Sequence, residues 1–202
     1  MSPSQNQKYV FANKILQGDE YATVECPVCH RDTKGSNVFD FVVTLSKGRV
    51  LPDMLCFAPA PWFIVMSENA IDAFRKEGIT GFVTHKLTIV DAKQNPMDDL
   101  NYYILEITGY ANIDYDRMGS KVIEYCKCCN YREIEEWKNI YEETWLVEDS
   151  WDGSDLFAFN LCTRKVLQVV YKEKLTGFDF KYGIDTSNSL SENEVNLREL
   201  FE

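Results

Sequence analysis

The chain predicts an α+β fold in which helices are set against a largely antiparallel sheet. Three observations carry that prediction. Several segments are rich in β-branched and aromatic residues. Two strand–cap–helix segments resemble one another, and two Cys-x-x-Cys pairs recur at an offset of 100, from Cys26 to Cys126 and from Cys29 to Cys129.

The strands come first. "VFDFVVTL", "FVTHKLTIV" and "NYYILEITGY" carry the side chains that suit a pleated, half-buried surface. "WFIVMSENAIDAFRKEGITGF", from Trp62 to Phe82, aligns without a gap on "AFNLCTRKVLQVVYKEKLTGF", from Ala158 to Phe178, at an offset of 96. Each reads as an apolar strand, a capping hydroxyl (Ser67, Thr163), an amphipathic helix and a closing Thr-Gly-Phe. The capping hydroxyl is expected to accept a bond from an unpaired N–H of the first helical turn. Ala70, Ile71 and Phe74 in one helix, and Val166, Leu167 and Val170 in the other, make one buried stripe each. Gly81 and Gly177 give the backbone freedom to turn from helix exit into the next strand.

In "REIEEWKNIYEE", Ile134, Trp137 and Tyr141 lie at helical spacing and predict a short helix. The stretch "SLSENEVNLRELFE" has a capping-box pattern at Ser191 and Glu194 ahead of Leu197, Leu200 and Phe201. Residues 187–202 are therefore expected to form an acidic terminal helix or tail. Residues 1–186 form one α+β domain, with pseudo-repeat halves over 22–92 and 122–182.

Composition bounds the function. The 202 residues are 45% hydrophobic and 26% charged, ordinary for a globular protein. No apolar run approaches the roughly 20 residues that span a bilayer. The first residues lack the charged-then-apolar order of a secretion signal, so a soluble, cytoplasmic protein is expected. Seven cysteines, an odd number, suit a reducing compartment in which thiols serve metal or redox chemistry. A net charge of −11 disfavours nucleic acid, whose phosphates need a basic surface, and favours a basic protein partner.

A Cys-x-x-Cys turn puts two sulfurs on one side of a tight knuckle, and two knuckles complete a tetrahedral Zn–S₄ site. The residue after the second cysteine must tolerate positive φ, a conformation for which Asn and His are enriched after Gly. Cys29 is followed by His30 and Cys129 by Asn130, which selects Cys126 and Cys129 as the second pair and leaves Cys128 inside the turn. Cys26, Cys29, Cys126 and Cys129 are the expected ligands of one structural zinc, with His30 or Cys128 as substitute ligands. Such an ion contributes on the order of 10 kcal/mol of folding free energy. Two alternatives stay open, a site that has lost its metal and a redox-active pair. Redox chemistry needs a pair at a helix N-terminus, and neither pair precedes a convincing helix. Cys56 and Cys162 read as small core residues.

These segments, "CPVCH", "PWFIVMSENAIDAFRKEGITGF", "CKCC" and "DLFAFNLCTRKVLQVVYKEKLTGFDF", carry a resemblance across most of residues 22–182. In order and spacing the chain resembles the double-CxxCG motif family of bacterial immunity proteins. That family occurs in myxobacteria beside swarming-inhibition toxins, and in other polymorphic-toxin loci. His30 and Asn130 depart from the glycine of the family's motif, while both cysteine pairs remain. The resemblance implies a non-enzymatic antidote that binds a cognate toxin, with no catalytic residue to carry over.

A candidate partner surface lies between Glu133 and Asp155, where nine acidic side chains accompany a single base, Lys138, and three of the four tryptophans. Trp137, Trp145 and Trp151 would anchor a partner, and Glu142, Glu143, Glu148, Asp149 and Asp152 would steer a basic one. The competing reading is a solvated acidic face with tryptophans turned to the core. There is no phosphate-binding loop, nucleophile elbow or zincin motif, and His85 reads as a structural strand residue. An enzyme is not expected. The alternatives to toxin binding are a zinc-ribbon module in a nucleic-acid complex and a CxxC thiol–disulfide enzyme.

Overall fold

The computed structural model describes residues 2–3, 11–17, 23–34, 41–46, 50–57, 63–129, 131–136, 145–157 and 161–180. In chain order the strands and helices begin with β1 (Ser2–Pro3), β2 (Phe11–Gln17), β3 (Thr23–Glu25), β4 (Asp32–Lys34) and β5 (Val42–Leu45). There follow β6 (Met54–Phe57), β7 (Ile64–Ser67), α1 (Glu68–Lys76), β8 (Phe82–Val90) and β9 (Tyr102–Ile107). The rest are β10 (Lys121–Tyr125), β11 (Arg132–Glu136), β12 (Leu156–Phe157), β13 (Leu161–Cys162), α2 (Arg164–Lys172) and β14 (Phe178–Asp179).

Six strands close into a barrel in the order β2-β5-β8-β9-β7-β6. Four of its pairings are antiparallel, while β5–β8 and β2–β6 are parallel. The alternation of side chains along each strand sorts two cores. Leu55, Phe57, Val65, Leu87, Ile89 and Ile104 fill the barrel with Phe41 and Val43. Their strand neighbours Met54, Ile64, Met66 and Leu105 face outward, where they pack with Ile71 and Phe74 of α1 and Val166, Val169 and Val170 of α2. Being buried on both faces is why "IVM" reads as an unbroken apolar run. One core thus joins residues of the two similar segments.

The two strand–helix passages keep their expected order, and three details differ from expectation. Segment 132–136 is strand, not helix: β11 pairs antiparallel with β10 across the second cysteine turn. Hairpin pairing there overrides the helical spacing of Ile134, Trp137 and Tyr141, of which Trp137 and Tyr141 lie outside the described residues. On α2 the buried stripe is Val166, Val169 and Val170, with Leu167 only half-buried. Ser67 caps α1 by accepting from the Ala70 N–H at 3.2 Å, but Thr163 makes no side-chain cap. Its hydroxyl donates instead to Asp155 Oδ1 at 2.9 Å. Trp62 and the 187–202 segment lie outside the described residues.

Candidate metal centre

Each cysteine pair sits in the turn of a two-stranded hairpin, β3–β4 for Cys26 and Cys29, β10–β11 for Cys126 and Cys129. The turns are closed alike. The Cys26 N–H donates to Arg31 O at 2.8 Å, and the Cys126 N–H to Tyr131 O at 2.9 Å. His30 takes φ +55°, the left-handed conformation expected at the end of a knuckle. Asn130, its counterpart, lies outside the described residues.

The hairpins face each other with their sulfurs together. Cys26 Sγ lies 3.8 Å from Cys126 Sγ, and Cys29 Sγ 3.6 Å from Cys129 Sγ. All four sulfurs lie within 4.8 Å of one another. A tetrahedral site with metal–sulfur bonds of about 2.3 Å has sulfur–sulfur edges of about 3.8 Å. These two edges match that geometry and the others lie within 4.8 Å, so these four side chains can hold a metal ion. Cys26 and Cys126 are buried, at 2% and 5% exposure, and the other two are half-buried.

The first cysteine of each turn has its thiol shifted down. Backbone N–H groups of Cys29 and Val28 pull Cys26 down to about 6, against the effect of burial. The Cys129 N–H, joined by that of Cys128, lowers Cys126 in the same way. The second cysteines go the other way. The Arg31 N–H draws Cys29 down, but burial and the neighbouring Cys26 outweigh it and the thiol is raised. At Cys129 the Tyr131 N–H is likewise outweighed by burial and the adjacent sulfurs, and the thiol is pushed up to about 12. Metal binding displaces the protons these thiols still carry.

His30 is exposed, and its Nδ1 meets Glu25 Oε1 at 2.8 Å, outside the four-sulfur group. Cys128 is exposed too, and the nearby Cys26 together with burial raises its thiol. Cys56 and Cys162 are half-buried on β6 and β13, and burial raises both.

Sequence reasoning missed the clamp beside the sulfurs. Arg31 reaches from the first hairpin to the second, donating to Glu124 Oε2 and Glu133 Oε2, each at 2.8 Å. Its guanidinium also lies 4.1 Å from the centre of the Tyr131 ring. The signal was present, since Arg31 and Tyr131 follow their knuckles at the same offset of 100 as the cysteines.

The acidic segment is only partly described. Trp137, Glu142 and Glu143 lie outside the described residues. Trp145 and Trp151 are both half-buried and engaged: Arg117 stacks 3.2 Å from the centre of the Trp145 ring, and Trp151 lies 5.6 Å from Phe157 while its Nε1 donates to Ser154 O. Asp152 organises its own loop by accepting the N–H groups of Tyr110 and Ser154. Glu148 and Asp149 are exposed, beside the exposed Val147. His85 Nε2 meets Glu106 Oε2 at 2.9 Å on the barrel strands. Among the described residues, no helix is long and apolar enough to cross a membrane. Compared with known proteins, the chain matches no family model and no curated sequence.

Proposed function

We propose that the chain is an immunity protein that binds and neutralises a cognate bacterial toxin in the cytoplasm of the producing cell, on a scaffold stapled by a structural zinc ion. The observation that carries this reading is the closure of the four-sulfur group. Catalytic zinc keeps one position open for water or substrate, whereas four protein sulfurs fill a tetrahedron. An ion held there ties two hairpins together and leaves the work of the protein to its surface. The resemblance in motif order supports a cognate toxin as the class of partner. A net charge of −11 suits a basic toxin, because opposite charge speeds encounter and sets register.

The surface we assign to that partner is the acidic segment. In its described part the accessible groups include Glu135, Glu148, Asp149 and Asp152 with Val147, while half-buried Trp145 and Trp151 pack on Arg117 and Phe157. The test is a survival assay. The open reading frame next to this gene is expressed in a heterologous host, with and without this protein. Killing that this protein rescues is the expected result, and killing regardless of it overturns the reading. Reversing charge at Glu142, Glu143, Glu148 and Asp149 is expected to weaken rescue; unchanged toxin binding would move the surface elsewhere.

One observation favours a second reading, a thiol–disulfide enzyme: Cys26 is held near 6, as an attacking thiolate requires. Its burial at 2% exposure weighs against a substrate disulfide reaching it. Reduction of a model disulfide by the metal-free protein, abolished by Cys26→Ser, would establish that activity.

A further inference from the structure

The contacts between the halves that hold the two similar segments occur twice, with the roles exchanged. Asp53 of the first accepts the Thr176 N–H and hydroxyl of the second at 2.9 and 3.0 Å. Asp155 of the second accepts the Thr80 N–H and hydroxyl of the first at 3.0 and 3.1 Å. Each carboxylate also takes the hydroxyl at the start of its own segment's helix, Ser67 at 2.8 Å and Thr163 at 2.9 Å. The Met54 N–H donates to Thr176 O at 2.9 Å, and the Leu156 N–H to Thr80 O at 3.0 Å. Lys76 pairs with Glu173 at 3.2 Å, and Lys172 with Glu77 at 2.6 Å. The sulfur pairs complete the set, each joining a residue to its own counterpart.

An arrangement in which these bonds recur with donor and acceptor halves exchanged is that of an approximate twofold axis. The covalent joint between the halves is short. β9 ends at Ile107, and from Tyr110 onward the backbone bonds to the second half, Asp114 N–H to Trp145 O and Asp152 N–H to Tyr110 O. Only Thr108 and Gly109 lie between, both donating to Gly81 O. A joint this short, between halves that recognise each other independently, is the setting for exchange between copies.

We propose that the two halves are modules that recognise each other independently of the joint at Thr108 and Gly109, so that a second copy of this chain supplies the missing half and completes the four-cysteine site in trans. Unlike halves are selected at the axis. Arg31 there stacks on its counterpart Tyr131, where two like first halves would set guanidinium against guanidinium.

The test uses full-length chains in pairs. C126S/C129S and C26S/C29S are unfolded in urea with reductant, then refolded singly and mixed, with cobalt(II) as the probe. Neither alone offers four sulfurs to one ion when first half meets second. The expected result is tetrathiolate absorption in the mixture only, at one cobalt per two chains and twice the monomer mass by light scattering. Because a cysteine variant can fail to fold, a second pair keeps all four ligands: K76E/K172E and E77K/E173K. Each alone sets like charges against each other in both ion pairs, while an exchanged mixed dimer restores all four opposite pairs. The mixture is expected to shift from mostly monomer to mostly dimer. Either mixed dimer supports the proposal. Monomers alone in both mixtures, or cobalt held in a tetrathiolate by one cysteine variant by itself, would overturn it.

Discussion

The halves of the chain meet at two ends by unlike means. At the hairpin end four sulfurs converge in a group that can hold an ion, and burial with the adjacent sulfurs raises Cys29 and Cys129. At the helix end two carboxylates each satisfy a Thr-Gly turn of the opposite half, and no ion is required. Among the described residues, no buried side-chain nitrogen or oxygen lacks a partner. The difference teaches that one end is closed by the polypeptide's own hydrogen bonds, while the other gathers four sulfurs that can hold an ion.

The largest effect to be expected follows from removing the metal. Chelation, or Cys26→Ser with Cys126→Ser, should take away several kcal/mol, with on the order of 10 kcal/mol as the ceiling for a structural zinc. Thermal unfolding with and without chelator, beside direct metal analysis, measures it. An unfolding temperature indifferent to chelation would break the comparison by making the hydrogen-bonded end the sole joint.

Glycine substitution tests the other end. Gly81 and Gly177 sit at φ +89° and +84°, and a Cβ on either would collide with a backbone carbonyl of the opposite half, Leu156 O or Met54 O. Gly81→Ala and Gly177→Ala should each cost about 3 kcal/mol or more, from strain and displaced backbone together. Gly153 shares the positive φ, +84°, but faces open space, so Gly153→Ala should cost only about 1 kcal/mol. Urea unfolding of the three variants separates conformation from contact, and equal costs would remove the close approach as a cause.

The carboxylates come next. Burial would raise both, yet at Asp53 bonds from Asn69, Thr176 and Ser67, and at Asp155 bonds from Thr163, Thr80 and Lys165, outweigh it and hold each below the ordinary carboxylate value. A depressed folded value contributes stability that is fully present above the unfolded value of about 3.9 and disappears as pH falls through the folded one. Asp53→Asn and Asp155→Asn should each cost about 1–3 kcal/mol at neutral pH and flatten the loss of stability below pH 4. Urea midpoints measured from pH 7 down to pH 3 decide this; a variant with the parent's acid sensitivity would show that the carboxylates are bystanders. The smallest effect belongs to Lys76→Ala and Lys172→Ala, whose exposed ion pairs should contribute least and fade with added salt, as urea midpoints at low and high salt would show.

Much of the site was legible in the sequence. Spacing and the residue after each second cysteine selected the four sulfurs, and His30 takes the positive φ that its position requires. The offset of 96 announced the matching strand–helix passages. What stayed hidden depends on chain reversals that local patterns do not encode. Closure of the barrel rests on the parallel β2–β6 and β5–β8 pairings between strands distant in sequence. Strand β11 looked helical because Ile134 shares its spacing with Trp137, and only the hairpin partner β10 forces it extended. Thr163 looked like a cap because its hydroxyl is well placed, until Asp155, eight residues earlier, claims it.

Vectorial synthesis gives the exchanged carboxylates a history in time. Asp53 and Thr176 are 123 residues apart, a span that takes about 6–25 s to translate at roughly 5–20 residues per second. Until Thr176 is made the Asp53 carboxylate lacks its partner, and Cys26 and Cys29 wait for thiols made 100 residues after them. Close spacing of ribosomes on one message would then govern how often a growing chain meets a neighbour's finished half before its own.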